Sequence, residues 1–258
     1  MFNSEQTPTG YSVDQDPWSM IEKSLLKVAA TFIAAIIVFS IIITSCKREN
    51  EERIPRGFAF GIDVSENNGD IDWAKVAHQK KTNDPIRFVI IRSSMGKNGL
   101  DTCYARNYTE AKQQGFIVGT YHYYRPNENS NQQFENFKKV LKLERGDLMP
   151  VVDIEVNPKV QSMESMKIGL RNFVNLVEKE YGVKPIIYTK LSMWRDYLQN
   201  DFSDCLVWIS AYSNYRREDD IVKNANIHQF SDRIRDIPGI PSKYVDGDDC
   251  RDLKPLIY

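Results

Sequence analysis

From residue 58 onward, short apolar runs alternate with longer stretches in which apolar residues recur every three or four positions. The short runs are rich in Val, Ile, Phe and Tyr, which is typical of buried strands. The longer stretches are typical of amphipathic helices, several of which end at a glycine. The predicted strands are 58–64, 88–93, 116–123, 151–156, 185–188, 206–210, 225–230 and 244–246. The predicted helices are 71–80, 104–114, 132–143 (ended by Gly146), 162–181 and 191–198.

This succession of βα units predicts an α/β protein with a parallel sheet or barrel. The later units have little helix between their strands, so a regular eightfold barrel is not expected. The predicted fold is therefore a modified (β/α) TIM-like barrel with reduced helices in its C-terminal part. This catalytic domain is expected to cover residues 58–258.

The region before the barrel has a different pattern. Residues 1–19 are polar and without periodicity, which is typical of disorder. Residues 28–45 carry no charge and are near the minimum length of a membrane span, so 20–46 is predicted to be a transmembrane helix or a signal segment. Residues 47–57 form a charged linker.

Two interpretations of this segment stay open. In the first it is an uncleaved anchor, although basic residues on both sides leave its orientation undecided. In the second, the run ITSC at 43–46 resembles a bacterial lipobox, with Met20 as the true start and Cys46 lipidated. Both interpretations predict that the rest of the chain is membrane-attached on the extracytoplasmic side, periplasmic or at the cell surface.

The overall charge and the cysteine spacing argue against nucleic-acid binding and against a zinc site. Lys and Arg number 34 and Asp and Glu 35, so no basic face for nucleic acid is indicated. The four cysteines form no CxxC or other zinc-like spacing, and no metal or other cofactor is expected. A disulfide between two of Cys103, Cys205 and Cys250 stays open.

Four acids lie at predicted strand ends. Asp153 and Glu155 are two positions apart on one strand and therefore point to the same face of an otherwise apolar element. That placement is costly unless the charges are solvated, paired or used. Asp63 ends the first strand, and Asp246 lies on the last. Because active sites of βα barrels lie at the C-terminal ends of the strands, the four acids are predicted to converge on one cleft, although each alone also fits a salt-bridged strand end.

Hydrogen-bonding aromatic residues occur at the same predicted rim. Tyr121, His122 and Tyr123 end the third strand, and Tyr188 ends the fifth. Taken singly, each fits ordinary packing, and His122 fits a buried core histidine.

These residues lie in motifs that resemble the glycoside hydrolase family 25 muramidases. The matching runs are GIDVS at 61–65, GDIDW at 69–73, FVIIR at 88–92, GTYHYYRP at 119–126, PVVDIE at 150–155, PIIY at 185–188, LVWI at 206–209, HQFS at 228–231 and VD at 245–246. Their order and spacing make the combination specific, and the resemblance covers about residues 58–250.

The resemblance implies a lysozyme-type N-acetylmuramidase. Its expected substrate is peptidoglycan, cut at the β-1,4 bond between N-acetylmuramic acid and N-acetylglucosamine. Glu155 corresponds to the proton donor of the family, and Asp63, Asp153 and Asp246 to its other acidic positions. Asp153 would stay ionised, to stabilise the sugar ring or to orient the N-acetyl group, while its division of roles with Asp63 stays open.

The same motifs suggest which residues contact the sugar. The candidate substrate-binding residues are Tyr121, Tyr123, Tyr188, Trp208 and Gln229. The chain departs from the family at several positions: Asn68 replaces a glutamine, His228 and Phe230 replace two aromatic residues of a Trp-Gln-Tyr run, Met95 replaces an acid, and Asp248 stands where Asn is frequent. An alternative function is a catalytically weak peptidoglycan-binding module of the cell envelope.

Overall fold

The computed structural model describes residues 57–78, 85–212 and 219–258, together with Trp18, Leu26 and Ile33, which are helical. The chain divides into two compact units, Met1–Arg53 and Ile54–Tyr258, and everything below concerns the second. Apart from those three residues and Gly57, the predicted disordered tail, membrane segment and linker lie outside the described residues. Within the described ranges, no helix is both long enough and apolar enough to cross a membrane.

The described part of the second unit contains nine strands and six α-helices. The strands are β1 (Ala59–Val64), β2 (Ile86–Met95), β3 (Gly99–Leu100), β4 (Ile117–Tyr123), β5 (Val151–Asp153), β6 (Ile186–Lys190), β7 (Val207–Ser210), β8 (Ile227–Arg235) and β9 (Tyr244–Cys250). The helices are α1 (Trp73–Ala77), α2 (Tyr104–Gln113), α3 (Ser130–Val140), α4 (Met163–Tyr181), α5 (Leu191–Met193) and α6 (Asp220–Asn224). A π-helical turn, Trp194–Leu198, continues α5.

Eight of these strands close into a barrel in the order β1-β2-β4-β5-β6-β7-β8-β9, with β9 returning to β1. Neighbours are parallel from β1 to β8, whereas β9 runs antiparallel to both β8 and β1. The short β3 only folds back on the end of β2. The predicted α/β barrel is thus confirmed, and so is its reduction: α6 has five residues, and β8 leads to β9 without a helix.

The longest helix, α4, shows why the local sequence forms these elements. Ser162 caps its start by accepting a hydrogen bond from the Ser165 amide at 3.1 Å, and Gly182 ends it in the left-handed conformation at φ 76°. Its buried face packs against the outside of the barrel. That face consists of Met166, Leu170, Phe173, Val174 and Val177.

The barrel interior is filled by a separate apolar cluster. Phe88 of β2 lies against Gly61 of β1, where an added Cβ would come within 2.3 Å of its ring. Burial of a side chain of this size stabilises the fold by about 1.5–3 kcal/mol. Ile90, Trp208 and Ile227 continue the filling. The interior is therefore closed, and functional side chains can collect only at its ends.

Several predicted boundaries are wrong in an informative way. β5 ends at Asp153, so Glu155 lies in the following loop rather than on the strand. Helix α3 ends at Val140 because Leu141 is extended, and Gly146 lies in a later turn. Helix α1 begins at Trp73, where Asp72 accepts a hydrogen bond from the Lys75 amide, and the predicted 79–80 lie outside the described residues.

His122 proves to be a core residue. It is fully buried on the outer side of β4, where its Nδ1 lies 2.8 Å from Ser94 Oγ and its ring stacks on Phe173 at 5.2 Å. Burial lowers the pKa of His122 to about 3, so the imidazole is neutral at physiological pH. Cys103, Cys205 and Cys250 are free thiols.

Candidate active site

The four predicted acids come together at one end of the barrel. Asp63 ends β1 and Asp153 ends β5, and Glu155 follows in the next loop. Because β9 is antiparallel, it delivers Asp246 near its beginning, directly opposite Asp63 in the register. The charges of Asp63, Asp153 and Glu155 act on one another, and Asp246 acts on Asp63.

Asp63 is held by an ordered hydrogen-bond chain. It is 8% exposed, and Gln229 Nε2 of β8 donates to its Oδ2 at 2.7 Å. The other end of that amide, Gln229 Oε1, accepts from the hydroxyls of Tyr188 at 2.8 Å and Tyr212 at 2.6 Å. Two donors on one oxygen fix the orientation of the amide, so its nitrogen must face the carboxylate.

Asp248 is a member of the cluster that the sequence analysis did not propose as a site residue. It is fully buried, and Trp208 Nε1 donates to its Oδ1 at 2.9 Å. It follows Asp246 by two positions and so faces the same side of β9. The same spacing had singled out Asp153 and Glu155, so this signal was available in the sequence.

Trp208 and Gln229 were predicted to contact substrate, but both are only 2% exposed. Each instead donates a hydrogen bond to a buried carboxylate. Their position is therefore behind the cluster, where they hold the acids in place. Tyr121 and Tyr123 are partly exposed on β4 and lie close enough to Asp153 for its charge to raise their pKa values, an effect secondary to burial.

The buried aspartates resist ionisation. Burial raises the pKa of Asp63 and of Asp153 well above the ordinary value of 3.8, and neighbouring negative charges raise both further. Burial, with Asp232 and Glu155 nearby, raises the pKa of Asp246 to about 6. Burial therefore opposes the expected ionisation of Asp153 in the ligand-free protein.

Asp153 also lacks a fixed partner. It is 6% exposed, and its Oδ1 has no hydrogen-bond partner among the described residues. A buried carboxyl oxygen in this state is open to a donor that arrives with a ligand. Among the described residues, the charges of Lys190 and Arg92 stabilise ionised Asp153.

Arg92 is a second residue that the sequence analysis did not single out. Its guanidinium lies 3.0 Å from Asp101 Oδ2 and 3.1 Å from Glu66 Oε1, and its side chain is 12% exposed. These two acids hold the cation at the end of β2, near Tyr121 and Asp153. The sequence contained only the run FVIIR, without a signal for its partners.

Glu155 is placed differently from the buried aspartates. Its side chain is 27% exposed, and Lys190 Nζ lies 3.6 Å from its Oε2. The loop that carries it is braced by Asn127, whose Oδ1 accepts from the amides of Lys159 at 3.0 Å and Val160 at 3.1 Å. Glu155 is thus a positioned acid that a ligand in the cleft can touch.

The arrangement provides no sign of a metal centre. In the part of the chain that the structure describes, no group of three or more His, Cys, Asp or Glu residues is arranged to hold a metal ion. The chemistry available to the cluster is that of carboxyl groups, which can transfer protons and stabilise positive charge.

Residues 62–240 match the family model described as glycosyl hydrolases family 25. The chain belongs to this family. Asp63, Asp153, Glu155 and Gln229 lie inside the matched region, whereas Asp246 and the rest of β9 follow it.

Individual relatives agree with the family assignment. The chain is 30% identical over 169 residues to the uncharacterized protein YegX of Escherichia coli (strain K12), covering 65% of this chain and 62% of that protein. It therefore spans about three fifths of the length of this curated relative. It is also 30% identical over 143 residues to lysozyme M1 of Streptomyces globisporus, covering 52% and 47% of the two chains.

A solved structure shows the same architecture. The bacterial lysozyme from Streptomyces coelicolor superposes with a TM-score of 0.66 at 25% identity, covering 77% of this chain and 94% of that chain. The fold is therefore shared with a solved structure that carries the name lysozyme.

Proposed function

We propose that this protein is a lysozyme-type glycoside hydrolase that cleaves the β-1,4 bond between N-acetylmuramic acid and N-acetylglucosamine in peptidoglycan, with Glu155 as general acid. The observation that carries the proposal is the division of exposure in the cluster. Glu155 is partly exposed, whereas Asp63 and Asp153 are buried. A substrate in the cleft can reach Glu155, while Asp63 and Asp153 lie beneath it.

The glycosidic oxygen is a poor leaving group until it is protonated. Glu155 donates the proton to that oxygen as the bond to the anomeric carbon breaks. A sugar bound over Glu155 excludes water from the carboxyl group. The ion pair with Lys190 is exposed enough to separate when substrate arrives.

Asp153 is assigned the second role, in preference to Asp63. Its Oδ1 is without a partner in the described part of the chain, whereas one oxygen of Asp63 is occupied by Gln229. Asp153 accepts a hydrogen bond from the N–H of the substrate acetamide, which favours its ionised form. The acetamide oxygen then attacks the anomeric carbon, and water later opens the cyclic intermediate with Glu155 as base.

The decisive experiment measures reducing ends released from purified peptidoglycan by the full chain and by Glu155→Gln. We expect the variant to lose about two or more orders of magnitude, the scale of general acid catalysis. Glu144→Gln, an exposed glutamate at the opposite end of the barrel, is the matched control and should retain full activity. Equal activity of Glu155→Gln and wild type would refute the role of Glu155. An inactive wild type that still binds peptidoglycan would instead indicate a wall-binding module.

The membrane attachment is a further part of the proposal. The uncharged run 28–45 supports a domain held on the extracytoplasmic side of a membrane, where peptidoglycan is found. Mass analysis of the membrane fraction distinguishes the two forms. A lipidated Cys46 at the N-terminus identifies a lipoprotein, and an unmodified Cys46 within an intact segment identifies an anchor.

A further inference from the structure

Asp63 and Asp248 form a pair of buried carboxyl groups that lack enough donors for two negative charges. Asp63 Oδ2 accepts from Gln229 at 2.7 Å, and Asp248 Oδ1 accepts from Trp208 at 2.9 Å. With both carboxyls counted as ionised, Asp248 Oδ2 has no partner among the described residues. Two buried ions with one neutral donor each would be strongly disfavoured.

The strand register explains why the two groups meet. Asp248 of β9 pairs with Gly61 of β1 on one side and with Gln229 of β8 on the other. Gly61 has no side chain to separate Asp248 from Asp63, which lies two positions further along the same strand. The two carboxyls are in hydrogen-bonding contact. Because an ionised carboxylate has no donor, that contact requires a proton on one of them.

The surroundings favour retention of this proton. Burial raises the pKa of both aspartates well above 3.8. The charge of Asp63 raises the pKa of Asp248 further, whereas the hydrogen bond with Asp248 lowers that of Asp63 in part. Most ionisable groups around the pair are acids or phenols: Asp246 and Asp249 on β9, Glu155 after β5, Asp153 on β5, Tyr188 on β6, Tyr121 on β4 and Tyr212 after β7. The basic groups lie beyond these acids: Lys190 and Arg92 act on Asp153, and His228 Nδ1 lies 3.7 Å from Asp249 Oδ2.

We propose that Asp248 and Asp63 share one proton near neutral pH, so that the pair carries a single negative charge beneath the cleft. The shared proton makes Asp248 a positioning residue, because it and the Gln229 amide together hold the carboxyl group of Asp63. The proton sharing stands on the strand register, the burial of both carboxyls and the unpaired Asp248 Oδ2 among the described residues, whereas its importance for catalysis rests on the proposed function.

Asp248→Asn imitates the protonated form of Asp248 with nearly the same shape. The amide oxygen still accepts from Trp208, and the amide nitrogen donates to Asp63 in place of the shared proton. Asp63 can then ionise without a partner acid. The variant therefore removes one bound proton from the folded protein and keeps the hydrogen bonds.

The proton is measured by urea unfolding of the full chain, followed by tryptophan fluorescence, between about pH 5 and pH 7. Both aspartates have raised pKa values when folded, so the stability that their proton supports is present at low pH and is lost as the pH rises above 3.8. The unfolding equilibrium constant of the wild type should therefore increase about tenfold per pH unit relative to that of Asp248→Asn.

A double variant distinguishes a shared proton from two separate neutral acids. If one proton is shared, Asp63→Asn and Asp63→Asn/Asp248→Asn should show the same pH dependence as Asp248→Asn. Two independently neutral acids would give a further tenfold change per pH unit in the double variant, which would overturn the proposal. Parallel pH dependences of the wild type and Asp248→Asn would also overturn it.

The positioning role is tested separately by activity. Asp248→Asn should have a kcat about tenfold higher than Asp248→Ala, because only the asparagine donates to Asp63. Equal loss in the two variants would overturn the positioning role. The unfolding measurements need no activity, so a failure of the proposed muramidase function would leave the test of the shared proton intact.

Discussion

A buried aspartate lies on each side of β5, Asp147 before the strand and Asp153 at its end. The two differ in their hydrogen-bond partners. Asp147, just before the strand, is 2% exposed and accepts from Tyr108 at 2.6 Å, Lys112 at 2.7 Å and the Glu144 amide at 2.8 Å. Asp153, at the other end, is 6% exposed and has an oxygen without a partner in the described structure. Burial alone therefore does not identify a functional acid. A buried acid whose oxygens lack hydrogen-bond partners is a better candidate for a functional acid, because it does not stabilise the fold.

The sharpest test of this contrast is Asp153→Asn. It should lower kcat by about 100-fold or more, because the neutral amide can still accept the acetamide N–H but cannot stabilise developing positive charge as a carboxylate does. Its free energy of unfolding should stay the same or increase by up to about 1 kcal/mol, since an unpaired buried carboxyl is removed. Reducing-end release and urea unfolding of the same preparation measure both quantities. If Asp153→Asn were destabilised and fully active, Asp153 would be a structural acid like Asp147.

Asp147→Asn is the matched change at the other end. It should lower the free energy of unfolding by about 2 kcal/mol, because the charge-assisted bond from Lys112 is weakened while Tyr108 keeps its partner. The kcat of the folded fraction should match the wild type. Denaturant unfolding combined with activity per folded molecule checks this prediction. A loss of kcat without a loss of stability would contradict it.

These paired acids show what the sequence could reveal. Asp153 and Glu155 were found because they interrupt an apolar run at a spacing of two, and the strands around them follow from Val and Ile content. The partners of Asp147 come from α2 and the turn before β5, and nothing in the spacing of Tyr108 and Lys112 points to an acid 39 and 35 residues away. Long-range pairing depends on the register of helices and strands, which local patterns do not fix.

The same limit explains the errors at the site itself. Glu155 was placed on a strand because Val156 continues the apolar pattern, but the chain leaves the sheet after Asp153. Trp208 and Gln229 were read as sugar contacts because they lie in recognised motifs. Their burial follows from facing the inside of a closed barrel, and only the closed barrel shows that they support the acids.

Tyr188→Phe should have a smaller effect. It removes one of the two hydroxyls that hold Gln229, while Tyr212 continues to donate. We expect the free energy of unfolding to decrease by about 1 kcal/mol and kcat to fall roughly a few-fold. Tyr104→Phe, which loses a hydroxyl contact with Thr120 away from the acids, is the control for loss of stability alone. If Tyr188→Phe and Tyr104→Phe had the same kcat, the orientation of Gln229 would not affect catalysis.

Asp246 should contribute a pH dependence to the stability of the folded protein. Its pKa of about 6 exceeds the ordinary 3.8, so the folded state holds a proton that the unfolded chain releases in this interval. The stability of the wild type should fall relative to that of Asp246→Asn as the pH rises from about 4 to about 6, and the difference should then level off. Thermal unfolding across this range measures it. If the stability of the wild type instead rose relative to that of Asp246→Asn as the pH increased, Asp246 would be paired like a structural acid.

The reversed direction of β9 also bears on how the protein comes into being. Asp63 and Gln229 are 166 residues apart along the chain, and Asp63 meets Asp246 only when β9 docks against β1. During synthesis, the first acid leaves the ribosome long before the strand that completes its surroundings. The nascent chain thus carries Asp63, Asp153 and Glu155 without a closed pocket. Hydrolytic competence would then coincide with the last step of assembly, and a chain truncated before Tyr244 would be an open and inactive precursor.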